Sequence, residues 1–436
     1  MLQVDVEEGY SNLVLNKTLR AESLSVQDNA FVSTLFYGVL ERRLTLDWVI
    51  LRHSRVKSAK ISQTTREILR MGIYQLLYMD KVPPSAAVNE SVKLAKRKKE
   101  FSAAGFINGV LRSVSRCEIQ NQKQGLDFSG IADPLERMSV EHSVSVDIIQ
   151  KWRRDYPNDA EGLINSLFVR KPVVIRTNTL KIASGELAEL LGEEGIAVRL
   201  HPLLPNALVL EKSESVEKLS AYRNGLFHVQ GAASQLCCMA VGPQPGEKIL
   251  DLCAAPGGKS FTLAQDTGAG GRVTSLDIHQ HRVELIARGS QRLDINSITT
   301  GINDASHKNE GLRDFDRVLC DVPCSGLGVI SKKPEIRYKF LTNLDKLTKM
   351  QYLIISNAAD SLKRSGRLIY STCTLNRAEN EDIINAFLAD NPGFEPEPLP
   401  SRIPLSDRNI RHMTTLMPHR NNTDGFFIAS LKKNEN

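Results

Sequence analysis

Three stretches of different hydrophobic periodicity predict a multidomain chain: an all-α N-terminal bundle, a small α/β module in the middle, and a C-terminal α/β domain with a mostly parallel sheet. A helical period of 3.6 residues runs through the first stretch without convincing two-residue alternation. Strand-like and helix-like segments mix in the second and alternate one for one in the third, as repeated βα units do. At ~150 residues per domain, the 436 residues fit about three domains. The expected boundaries are 1–140, 141–231 and 232–436.

In the first stretch, "AFVSTLFYGVLERRLTLDWVI" (30–50) and "TTREILRMGIYQLLYMD" (64–80) place apolar residues at i, i+3, i+4 and i+7. "VPPSAAVNESVKLAK" (82–96) supplies a start signal in Pro83-Pro84, with Ser85 as N-cap, and "FINGVLRSV" (106–114) begins another helix. From 126 to 145 the polarity rises around Gly125, Gly130 and Asp133-Pro134, which reads as a linker followed by short helices such as "VDIIQKWRRDYP" (146–157). In the middle module "KPVVIRTNTL", "LPNALVL" and "GLFHVQG" read as strands and "SGELAELLGEEG" as a helix with a glycine stop. The module has the outline of an RNA-recognition sheet (RRM-like) but lacks its base-stacking aromatic pair, so any RNA role would be positional. Beyond 232 the strands are "EKILDLCA", "GRVTSLDI", "SITTGIND", "FDRVLCDVP", "RLIYSTCT" and "DGFFIASLKK". The helices between them are "GKSFTLAQDTG", "HRVELIARGSQRLD", "KMQYLIISNAADSLKRSG" and "ENEDIINAFLADN".

The formal net charge is +6, and residues 91–123 carry eight Lys/Arg against two acids, a local balance of 8 − 2 = +6. A phosphate-binding surface built on Lys96, Arg97, Lys98, Lys99, Arg112 and Arg116 is therefore expected. No secretory signal is visible and no apolar run approaches the ~20 residues of a membrane span, so a cytoplasmic protein is expected. Seven scattered cysteines make no disulfide framework. Cys320 and Cys324 come nearest to a metal signature, but Cys320 closes the apolar run "RVLC" and reads as core, so no metal is expected. With no exposed apolar repeat demanding a partner, a monomer is expected.

"ILDLCAAPGGKS" (249–260) runs from a strand through a Gly-rich turn into a helix. Gly257 and Gly258 allow close backbone approach, and helix N–H groups favour an anionic group there. The spacing fits neither a dinucleotide fingerprint nor a P-loop. Asp277, Asp304 and Asp321 close successive strands, and lone acids along one sheet edge more often serve a ligand than a core. Three of them suggest a nucleoside with a zwitterionic appendage, which S-adenosylmethionine fits. Two cysteines compete for the chemistry: Cys324 in "DVPCSGLG" (321–328) and Cys373 in "IYSTCTL" (369–375). Each follows a strand of the parallel sheet, so both can face one cleft. On residues alone, which of them attacks stays open.

Together "LDLCAAPGGKS", "NDA", "DVPCSGLG", "STCTL" and the closing "PHRNNTDGFFIASLKK" resemble the RNA cytosine-C5 methyltransferase family. "EILRMGIYQLLYMD", "PPSAAVNESVKLAKR" and "FINGVLRSV" resemble the NusB-type helical RNA-binding domain. The resemblance implies a Rossmann-like catalytic domain with S-adenosylmethionine in the turn of Cys253, Ala254, Ala255, Pro256, Gly257, Gly258 and Lys259. It implies that Asp277 holds the ribose, Asp304 the adenine side, and that Asp321 sits between cofactor and base. It also implies that Cys373 is the nucleophile and Cys324 assists release, and that small-subunit (16S) rRNA is the partner. Relatives with the same core modify other rRNA and tRNA cytosines, so the N-terminal domains would choose the target. DNA cytosine-C5 methyltransferases attack with the Pro-Cys thiol and need no second cysteine. The contrasting expectation is a NusB-like binding scaffold without catalysis, which would not bind S-adenosylmethionine.

Overall fold

The computed structural model describes residues 1–6, 11–22, 24–117, 126–211, 216–339 and 343–435. Lys123, at the end of the basic segment, and Gly125 lie outside the described residues. The chain forms two compact units, one of residues 1–169 with 330–341, the other of residues 170–329 with 342–436.

The first unit is helical throughout its described residues. The long apolar run at 30–50 folds as two helices, Val26–Glu41 and Arg43–Arg52, because Arg42 leaves helical geometry (φ −120°, ψ 22°). Ser25, Ser62, Asp133 and Ser145 each accept a backbone N–H in the first turn of the helix they precede, satisfying one of its orphan donors. Helix Pro84–Arg97 begins two residues earlier than the Ser85 cap expects: Pro83 takes the cap position and Pro84 the first turn, where a missing N–H costs nothing. Leu46, Val49, Leu69, Ile73, Ile107 and Leu111 fill the core.

A short turn from the second half of the sequence, Pro334–Tyr338, completes this unit. Arg337 is fully buried there; its guanidinium donates to the carbonyls of Glu41 (2.9 Å) and Leu167 (2.6 Å) and lies over the Phe168 ring at 4.6 Å. Its own carbonyl accepts from Ser145 N–H, and Tyr338 Oη donates to the Leu40 carbonyl at 2.6 Å. A buried guanidinium is tolerated only while such acceptors hold it. Arg337→Ala should therefore lower the stability of the helical unit by about 2–4 kcal/mol in urea denaturation; a loss below about 1 kcal/mol would show that the turn is not integral to it.

The second unit opens with four antiparallel strands, β1 (Val173–Thr177), β2 (Val198–Leu200), β3 (Ala207–Leu210) and β4 (Phe227–Val229), in the order β2-β3-β1-β4. Two-residue alternation sorts its side chains. Ile175, Leu208 and Leu210 pack on Leu187 and Leu191 of helix Ser184–Glu193, while Val174, Ala207 and Val209 join the core around helix Ala232–Val241. Both faces are thus covered, and bases cannot stack on this sheet. The short β2 escaped the sequence reading because three residues carry too little alternation.

The larger sheet contains β5 (Lys248–Asp251), β6 (Arg272–Asp277), β7 (Ile298–Ile302), β8 (Phe315–Asp321), β9 (Leu362–Thr372), β10 (Phe394–Pro396), β11 (Met413–Leu416) and β12 (Phe426–Lys433). The order is β10-β12-β9-β8-β5-β6-β7, with β11 beside β12. The run β7-β6-β5-β8-β9 pairs in parallel throughout, and β12 pairs antiparallel with β9. The helix expected to run to Gly366 stops at Asp360, and β9 starts at Leu362, which pairs with Phe315. Tertiary pairing overrides the helical period there. β10 and β11, like β2, are too short to read from sequence.

Candidate active site

The strand order reverses at β5, whose chain continues outward to β6 and β7 on one side while β8 and β9 lie on the other. A crevice opens outside the carboxyl ends of β5 and β8, the place where open α/β sheets bind ligands. The turn after β5 is held by Ala254 N–H on the Leu276 carbonyl (2.9 Å) and Gly257 N–H on the Ala254 carbonyl (2.8 Å). Gly257 has φ +106°, and a Cβ there would lie 2.5 Å from the Phe261 ring, so the turn requires glycine. All of residues 253–259 except Gly257 line the crevice, with Asp251 and Asp321. The opposite wall comes from β4 and the next helix: Val229, Gln230, Gly231 and Ser234. No motif marks that wall in the sequence, and only the packing of the middle module on helix Ala232–Val241 brings it to the turn.

Asp251 is the acid that the sequence reading passed over, although it too ends a strand. It is 1% exposed; Ser260 Oγ donates to one oxygen at 2.7 Å, and the other, on the crevice wall, has no partner among the described residues. Burial raises its pKa from 3.8 to about 7, against the lowering pull of Ser260 and Lys259. Asp321 accepts from Ser371 Oγ at 2.8 Å and from Lys259 Nζ at 2.6 Å. Burial alone would lower Lys259, but the neighbouring Asp321 carboxylate outweighs it and holds the ammonium protonated. Lys259 therefore pairs with Asp321 while lining the crevice.

The other two expected acids are placed differently. Asp277 is 2% exposed and backs the turn, accepting from Ala255 N–H (3.2 Å) and pairing with Arg282 (3.3 Å). Asp304 sits at the surface, accepts from Ser306 N–H (3.0 Å) and Oγ (2.6 Å) and pairs with His307. Ser306 and then His307 hold its pKa below the usual carboxylate range. Neither lines the crevice.

The two cysteines come together. Cys324 Sγ and Cys373 Sγ are 3.2 Å apart, at the neighbouring carboxyl ends of β8 and β9. Contact with Cys373, then burial, then the charges of Glu379 and Asp321 push the Cys324 thiol well up. Cys320 is fully buried in the core. Gly328 locks the two loops: its N–H donates to the Cys373 carbonyl (3.0 Å) and its carbonyl accepts from Gly425 N–H (2.8 Å). A Cβ on Gly328 would sit 2.0 Å from the Gly425 carbonyl oxygen. The basic candidates lie in the other unit. Lys96, Arg97, Lys98 and Lys99 are exposed at the end of helix Pro84–Arg97, and Arg112 and Arg116 are exposed on helix Ala104–Cys117.

Residues 238–432 match the family described as 16S rRNA methyltransferase RsmB/F, residues 1–116 the NusB family, and residues 148–217 the RsmF/B-like ferredoxin-like domain. The probable ribosomal RNA small subunit methyltransferase B of Bacillus subtilis is 35% identical over 441 residues, 99% of this chain and 97% of that protein. The chain belongs to the ribosomal RNA small subunit methyltransferase B family. The Cronobacter sakazakii member of this family is 30% identical over 98% of this chain and 96% of its own. A crystal structure named PH0851 superposes with a TM-score of 0.82 at 25% identity, over 95% of this chain and 92% of that one. A methyltransferase homologue from Pyrococcus horikoshii follows at 0.62 and 26%, covering 70% of this chain and all of that one. No described helix is long and apolar enough to cross a membrane.

S-adenosylmethionine is the cofactor of this family, and the crevice fits it. The unpartnered Asp251 oxygen on its wall is an acceptor suited to an ammonium group. A Cβ on Gly258 would meet nothing nearer than Gln230 Cγ at 3.9 Å, leaving the helix N-terminus open to a ligand.

Asp251 also makes a pH prediction. Its folded pKa of about 7 lies above the unfolded 3.8, so its contribution to stability is full below about pH 4 and is lost as pH rises through about 7. Melting temperatures of the cofactor-free protein and of Asp251→Asn should therefore diverge across that window, the variant gaining relative to wild type towards pH 8. A difference that stays constant from pH 4 to 8 would remove the assignment.

Proposed function

We propose that this protein transfers a methyl group from S-adenosylmethionine to C5 of a cytosine in 16S rRNA, through a covalent bond between Cys373 and C6 of the base. The observation that carries the reading is the 3.2 Å approach of Cys324 and Cys373 just beyond the paired ends of β8 and β9, the same sheet edge whose Asp321 pairs with Lys259 and lines the crevice. The choice of RNA follows the small-subunit rRNA named for its relatives.

Cytosine C5 is too weak a nucleophile to be alkylated unaided. Addition of the Cys373 thiolate forms an S–C6 bond and moves the C5=C6 electron pair to C5, splitting one hard step into easier ones. The cofactor, held by residues 253–259, supplies an electrophilic methyl group. Lys259 and Ser371 donate to opposite oxygens of Asp321, which leaves that carboxylate as an acceptor for the exocyclic amine of the base. Once C5 is methylated, solvent water takes its hydrogen as a proton, the C5–H electron pair re-forms C5=C6, and the S–C6 bond breaks to return the thiolate. Cys324, 3.2 Å from the attacking sulfur, assists this release by hydrogen-bonding the departing thiolate of Cys373. In this reading Asp277 reaches the cofactor's ribose through the turn it braces, and Asp304 flanks its adenine. The target nucleotide enters from a loop or flips out of a helix.

Two variants test the assignment on a denaturing gel with S-adenosylmethionine and small-subunit rRNA. Cys324→Ala should accumulate a protein–RNA adduct, and Cys373→Ala should form none and lose methylation by at least about 10³-fold. The reverse pattern would make Cys324 the nucleophile, as in the DNA enzymes. Replacing Lys96, Arg97, Lys98 and Lys99 together by Ala should weaken RNA binding and flatten the log–log salt dependence by about 2–3. An unchanged slope would take RNA contact away from that helix end.

A further inference from the structure

A hydroxyl residue follows each site cysteine directly, Ser325 after Cys324 and Thr374 after Cys373. Their oxygens are 2.7 Å apart, so two loops separated by 49 residues are bonded one position away from the thiols. Beside this bond lies Glu379, fully buried in the short turn Arg377–Glu379. One of its oxygens accepts from Ser325 N–H and from Gln351 Nε2, both at 2.9 Å. The other accepts from Ser325 Oγ at 2.5 Å and from Asn376 Nδ2 at 2.6 Å. All four donors are neutral, an arrangement that keeps a carboxylate buried only because both oxygens are filled.

A helix brace would not need these partners. Ser325 belongs to the Cys324 loop and supplies two of the four bonds, and Gln351 Nε2 also donates to the Pro323 carbonyl at 2.9 Å, bracing the other side of Cys324. On the Cys373 side, Asn376 closes the following turn, and Tyr370 Oη donates to the Glu379 carbonyl at 2.7 Å. The carboxylate therefore joins both thiol loops.

We infer that Glu379 is a positioning residue: its carboxylate locks residues 323–325 onto the turn after Cys373 and so sets the separation of the two thiols. The catalytic consequence rests on the roles proposed above for Cys373 and Cys324; the geometry does not.

Glu379→Gln keeps the shape but turns one acceptor into an amide that faces a donor. The first measurement needs no RNA: the rate at which diamide, a thiol oxidant, joins Cys324 to Cys373, followed by mass spectrometry of unreduced peptides. The variant should react at least tenfold more slowly, with its melting temperature within a few degrees of wild type and its S-adenosylmethionine affinity within twofold. In steady-state methylation kcat should fall about 100-fold with little change in KM for RNA, and Glu379→Asp should recover part of it. Oxidation and turnover both at wild-type rates in folded Glu379→Gln would overturn the proposal. Should that variant fail to fold, Ser325→Ala carries the same comparison, with at least threefold slower oxidation expected and a wild-type rate overturning it. If wild type methylates without any cysteine adduct, the covalent reading falls, and the oxidation rate alone decides what Glu379 holds.

Discussion

The parallel pairing that sets Asp321 of β8 opposite Ser371 of β9 governs the rest of the site. Parallel strands end on the same side, and these two end within one residue of each other in register. Whatever follows them, "VPCSG" on one and "CTLN" on the other, must therefore share the same few ångströms of space. Ser371 already binds Asp321 across this pair, and three residues beyond Asp321 and two beyond Ser371 the thiols touch. β5, on the other side of β8, brings the cofactor turn to the same edge.

Electrostatics at this edge are a contest between burial and pairing. Lys259 is largely withdrawn from water, yet the Asp321 carboxylate beside it outweighs burial, so the ammonium remains. Asp251, one strand away, is hydrogen-bonded by a hydroxyl alone, and burial outweighs both that bond and the nearby Lys259. A single unpartnered acceptor at the base of the crevice is costly in the empty protein and favourable once a cation meets it.

The middle module serves the site by being buried. Its sheet loses both faces to helices, which removes the surface a base would stack on, and its last strand hands Val229, Gln230 and Gly231 to the crevice wall. A segment with the outline of an RNA-recognition sheet thus contributes part of the crevice wall.

The sequence by itself determined the fold class, most of the strands and helices, the Gly-rich turn and the two cysteines. These depend on local chemistry: a hydrophobic period, a glycine that must take φ +106°, a thiol beside a proline. Tertiary structure alone decided which residues meet. Asp277 ends β6 as Asp321 ends β8, and Asp304 lies two residues beyond β7, yet their partners differ: Asp277 braces the turn and Asp304 holds a surface turn of its own. Asp251 sits unmarked inside the Gly-rich motif and Glu379 carries no motif, because what distinguishes them is burial and the partners that folding brings, Ser260 for one and Ser325 for the other. The destination of Pro334–Tyr338 in the helical unit was equally unreadable, since a buried arginine shows its purpose only when the carbonyls that hold it have been folded into place.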